Sequence, residues 1–151
     1  MRYSAFACLL GFTSAAFAAE KPEHAAKDMA IEFLKAVKTK DADAVMKLCD
    51  VPFAYREGGI TAHKDADALK KWLKEKLETL KDADKVPTEI SEMMPFATVK
   101  EKIKDASEKE LAEEVMGKDG FLAVIMSDDN KKVGIAIRMK DGKAKVVGLI
   151  Q

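Results

Sequence analysis

The stretch "AIEFLKAVKTKDADAVMKLCDVPFAYREGG", residues 30–59, changes its hydrophobic period partway along, and that change decides the fold. Upstream, Ala26, Met29, Ala30, Phe33, Leu34 and Val37 recur at the spacing of one helical face. Then comes Lys40-Asp41-Ala42-Asp43, where Asp41 suits an N-cap and Asp43 sits in a first turn whose dipole favours negative charge. Val45, Leu48 and Cys49 continue as a short apolar stripe, and this second helix is expected to end before Pro52. From Phe53 the pattern alternates, Phe53, Tyr55 and Glu57 against Ala54 and Arg56, and turns at Gly58-Gly59, which reads as a strand, a tight turn and a return.

Working outward, the tetrapeptide Lys-Asp-Ala-Asp recurs at residues 64–67 and 81–84. Three Asp-x-Asp pairs invite a metal reading, which their spacing decides. A calcium loop of the EF-hand type needs oxygen ligands at its odd early positions, Gly at the sixth and Glu at the twelfth. From Asp41 the later positions hold Val45, Met46 and Pro52; from Asp65, Leu69, Lys70 and Lys76; from Asp82, Val86, Pro87 and Met93. None fits. Asp65 reads instead as the cap of a third helix whose apolar face is Leu69, Trp72, Leu73, Leu77 and Leu80, and the third copy as a turn before Pro87. With His24, His63 and Cys49 the only soft ligands, no metal site is expected.

The rest of the chain is mixed and then regular. "KVPTEISEM" suggests a strand, Pro95 stands at a permitted first helical position, Ser107 and Glu110 form a capping box, and Gly117 closes that helix. "FLAVIMS", "KKVGIAIRMK" and "KAKVVGLIQ" read as three strands, the last two joined by a hairpin at Asp141-Gly142. Helices first and an antiparallel meander last give an α+β fold, with helices expected on one face of a curved antiparallel sheet. Val133, Ile135, Ile137 and Met139 alternate with Gly134, Ala136 and Arg138. The small-residue side invites close approach by a second sheet, so a homodimer is expected.

The leader "MRYSAFACLLGFTSAAFAAE" has Arg2 before an apolar run and Ala16-Phe17-Ala18 as a small-x-small processing site. Residues 1–18 are therefore read as a signal peptide, and residues 19–151 as one exported domain, periplasmic or secreted. The apolar run is too short for a membrane span, so no membrane insertion is expected after cleavage. The chain carries 26 Lys and Arg against 26 Asp and Glu, and loss of Arg2 leaves a net charge of −1. Such a balance argues against nucleic acid, whose binding needs a concentrated positive face. Cys49 is the only cysteine after the leader, so no internal disulfide is available.

The order of helix, Asp-x-Asp, aromatic strand, Gly-Gly turn, helix and meander, clearest over residues 25–80, resembles the nuclear-transport-factor-like superfamily. The resemblance implies a cone, a curved sheet wrapped around a long helix, in a superfamily that includes carriers, isomerases, cyclases and dehydratases. Carried over from the isomerases, the position of a tyrosine oxyanion donor falls on Phe33 and that of the proton-transferring base on Glu57. Phe33 has no proton to donate. The expectation is therefore a non-catalytic domain binding a small apolar molecule or a partner, with no cofactor, through Phe33, Phe53, Tyr55, Glu57 and Trp72. The alternative is a small isomerase or dehydratase with Glu57 as base and Tyr55 orienting the substrate.

Overall fold

The structure, a computed structural model, describes residues 21–56, 59–127 and 129–150. The leader and its processing site lie outside them, as does Glu57. The first helix, α1 (Pro22–Lys38), starts on a proline, whose missing N–H costs nothing in a first turn. It buries Ala26, Ala30, Phe33 and Leu34, the stripe expected from the sequence. Then follow α2 (Ala42–Leu48), β1 (Cys49–Arg56), β2 (Ile60–His63) and α3 (Ala66–Thr79). After a short 3-10 turn at Ala83–Lys85 come β3 (Glu92–Pro95), α4 (Phe96–Lys102), α5 (Ala106–Met116), β4 (Phe121–Met126), β5 (Lys132–Lys140) and β6 (Lys143–Ile150).

Two of the Asp-x-Asp pairs do what capping chemistry requires. The Asp41 carboxylate accepts from the backbone N–H groups of Asp43 and Ala44, both at 3.0 Å, and that of Asp65 from Ala68 N–H at 2.9 Å. The third copy supplies the 3-10 turn and makes no side-chain cap. The expected capping box at Ser107 is displaced by two residues. Asp105 is the cap of α5, accepting from the Ser107 and Glu108 N–H groups, and the Ser107 hydroxyl donates to the same carboxylate oxygen. An aspartate reaches these donors as well as a serine does, and periodicity alone could not rank the two. Pro95 likewise stands one place earlier than expected, as the N-cap of α4, and Cys49 opens β1 where a place on the α2 stripe was expected.

The fold is α+β, a curved open sheet wrapped around the N-terminal helices and ending in a meander. Strand order is β2-β1-β6-β5-β4-β3. The meander β4–β5–β6 is antiparallel as expected, and its β5–β6 turn takes positive φ at both Asp141 (51°) and Gly142 (74°), the twist a two-residue hairpin needs. The sheet is mixed, however, because β1 runs parallel to β6, with Tyr55 opposite Leu149. Alternation in a strand sequence specifies its faces and leaves its partner open.

A second difference concerns the faces. The inner face carries one core, Phe33, Phe53, Leu69, Ile135, Ile137 and Val146 among its members. Helices also cover the outer face, where Ala54, Phe96, Val99, Val115, Met116, Ala136 and Val147 form a second core. The small residues expected to meet a partner sheet are thus covered by α5 of the same chain. Arg138 is spent there too. Its guanidinium donates to Asp50 Oδ2 at 2.6 Å, Val51 O at 3.0 Å and Val115 O at 3.3 Å. The surface on which the homodimer expectation rested is therefore interior.

Smallness on that face is a packing requirement. A Cβ on Gly148 would stand 2.7 Å from Ala54 O and 3.3 Å from the Cβ atoms of Ala54 and Ala136, atoms fixed by the two adjoining strands. Gly148→Ala is expected to cost about 1–3 kcal/mol by overpacking, and denaturant unfolding measures it. Asp41→Ala and Asp65→Ala should each cost about 1 kcal/mol, with no dependence on added calcium or magnesium. A divalent-ion shift in Tm lost in these variants would contradict the cap assignment.

Candidate functional site

The inner face of the sheet does not close completely on α1 and α3. Between them opens a cavity of about 650 Å³, within the range that holds small-molecule ligands. Its depth is apolar because the elements around it present their inward periods: Phe33, Leu34 and Val37 from α1, Trp72, Leu73 and Leu77 from α3, and Ile125, Val133, Ile135 and Leu149 from β4, β5 and β6. Val86 and Pro87, in the segment after the 3-10 turn, complete the wall. Lys76, Asp82, Lys85 and Asp129 place charges on its lining, and Asp82 pairs with Lys85 at 3.5 Å.

One wall is aromatic. Tyr55 stacks on His63 with ring centroids 4.7 Å apart and planes 14° from parallel. Trp72 leans on the same group, 4.8 Å from Tyr55, 5.5 Å from His63 and 5.9 Å from Phe53. The sequence explains the meeting. Phe53 and Tyr55 share a face of β1 at period two, β1 pairs with β2 so that His63 faces Phe53, and the first turns of α3 lay Trp72 over them. The Lys76 ammonium, one helical turn beyond Trp72, stands 5.8 Å from the indole centroid, within cation–π reach. Two buried nitrogens, Trp72 Nε1 and His63 Nε2, have no hydrogen-bond partner among the described residues.

Of the five residues singled out in the sequence, Phe33, Tyr55 and Trp72 line this cavity. Phe53 is fully buried behind Trp72 as part of its support, and Glu57 falls outside the described residues. His63, counted in the sequence only as a possible soft ligand, is half-buried in the stack. Residues 80–87 were missed because the path of a loop over a cavity leaves no periodic mark, whereas the inward alternation of β5 already pointed to Val133 and Ile135. Arg56, at the end of β1, also borders this cavity, and its guanidinium pairs with Glu108 of α5 at 3.2 Å. That pair borders a smaller apolar cavity of about 190 Å³ beneath α4 and α5.

Cys49 offers no nucleophile. It is 8% exposed, and burial pushes its thiol up to about 12 from the usual 9.0, so the thiolate that reacts is scarce at neutral pH. No known protein family matches the chain, and the search of curated proteins finds no relative.

Two measurements check the thiol. Native protein should resist alkylation at pH 8 and react once unfolded. Because the folded thiol keeps its proton over a range where the unfolded one loses it, the Cys49 contribution to stability is constant below about pH 9 and falls as pH rises from there towards 12. Cys49→Ala should flatten that part of the stability curve.

Proposed function

We propose that the chain is an exported, non-catalytic member of the nuclear-transport-factor-like superfamily that binds a small, largely apolar molecule inside its cone. The observation that carries this reading is the cavity itself. Its walls come from six helices and strands and the 3-10 turn, and its depth is apolar, and a space of about 650 Å³ left beside close-packed cores asks for an occupant, since interiors otherwise fill to crystal-like density. Chemistry gets little support from the same walls. Phe33, at the position where an isomerase would carry its hydroxyl donor, is an apolar ring 1% exposed, so no proton donor stands there to stabilise a developing oxyanion. Export rests on the leader and is checked by the N-terminus of the mature chain from its native host, which should be Ala19.

Trp72 is the only tryptophan and lines the cavity, so its emission reports occupancy directly. Titration with hydrophobic ketones, sterol-like compounds and small aromatic acids should produce saturable changes in that emission without consumption of the compound. Val37 and Val133, half-buried in the lining, can be enlarged without disturbing the fully buried core. A Val37→Met/Val133→Met variant should keep its Tm within a few degrees and weaken binding at least tenfold. Turnover of any of these compounds would defeat the non-catalytic reading.

A further inference from the structure

We propose that the cavity is specific for planar aromatic ligands, which stack on the face of Tyr55 opposite His63. The proposal rests on the binding reading above and adds a ligand class to it. The three centroid distances among Tyr55, His63 and Trp72, 4.7, 4.8 and 5.5 Å, form a compact triangle. Rings on opposite faces of the phenol would stand about two stacking distances apart, well beyond the separation found. His63 and Trp72 therefore do not enclose Tyr55 between them, and the phenol keeps one face that neither ring covers.

Strand order shows where that face looks. His63 belongs to β2 and Leu149 to β6, on opposite sides of β1, and Leu149 pairs directly with Tyr55. Leu149 and Tyr55 line the cavity; His63 does not. The phenol thus stands as a partition, with the imidazole behind it and the cavity in front. A ring entering beside Leu149 would extend an existing stack, against a platform whose tilt is already fixed by a partner lying 14° from parallel. Such preorganisation spares the ligand the cost of ordering the wall. Phe33 and Trp72 also present rings to the cavity, but of the three Tyr55 is the one held in a near-parallel stack, so Tyr55 is the platform on which a planar and a saturated body are told apart. The gain of an offset stack beyond area burial corresponds to a few-fold to about tenfold in affinity.

The test compares 2-naphthoate with decalin-2-carboxylate, which match in charge and closely in size and differ in planarity and π-character, with decanoate as the open-chain control. Binding is read by Trp72 emission and by calorimetry. Naphthoate should bind several-fold to tenfold more tightly than either saturated acid. Tyr55→Phe should keep that preference and Tyr55→Leu should abolish it, while the Val37→Met/Val133→Met variant weakens all three. His63→Ala, outside the cavity lining but stacked on Tyr55, should reduce the naphthoate preference through the loosened phenol. Equal affinities for the three acids, or a naphthoate preference that survives Tyr55→Leu, would overturn the aromatic specificity while leaving cavity binding intact. Absence of binding by all three, or binding indifferent to the double variant, would overturn both.

Discussion

The parallel pairing of β1 with β6 is the constraint on which the other contacts depend. It joins the first strand to the last, setting Ala54 beside Gly148 and Tyr55 beside Leu149. Without it β1 and β2 would be a separate two-stranded sheet, marginal on its own. With it they and the meander become one curved surface that α1 can lie across, and the wall of Tyr55 is brought to the edge of a cavity floored by β5 and β6. The loop closed in this way is long. Its entropic cost grows only with the logarithm of its length, but a contact so distant in sequence forms late and slows folding.

That pairing is tightened from outside. Val147 is an extra residue in β6, where the register with β5 slips between Ala136–Gly148 and Ile137–Val146, and such a bulge sharpens the local twist. Ala54, Gly148 and Ala136 lie side by side on the outer face, and their smallness lets Val115 and Met116 of α5 come close. Arg138 holds the same junction by polar means, reaching the start of β1 through Asp50 and Val51 and the end of α5 through Val115. The side chain is only 17% exposed, so it needs those three acceptors. Loss of any one leaves a largely desolvated cation short of a partner.

How much of this was legible in the sequence follows from the range of each interaction. Helix caps at Asp41 and Asp65, the inner stripes of α1 and α3, the type of turn at Asp141-Gly142 and the alternation of β5 are local, and all could be read from spacing. The cap of α5 was misplaced because two eligible residues stand two positions apart. What the outer face of β5 meets was misread because a row of small residues fits a partner sheet and an intramolecular helix equally well, and only the weakly periodic segment 95–117 could choose between them. In the site, Phe33, Tyr55 and Trp72 were recognisable as inward aromatics. The partnership of His63 with Tyr55 was hidden, since it depends on the register of a short return strand.

The sheet also has a bearing on how the chain avoids itself. Its edge strands, β2 and β3, are four residues each, against nine for the central β5. β3 carries Glu92 at one end and Pro95 at the other, a charge and a residue with no N–H to offer. Short, charged and proline-bearing borders give another strand little to hydrogen-bond along. The longest and most apolar strands, those whose sequences would template intermolecular β-structure most readily, are sequestered in the middle. A protein that holds an open apolar cavity thereby avoids adding a second adhesive surface at the rim of its sheet.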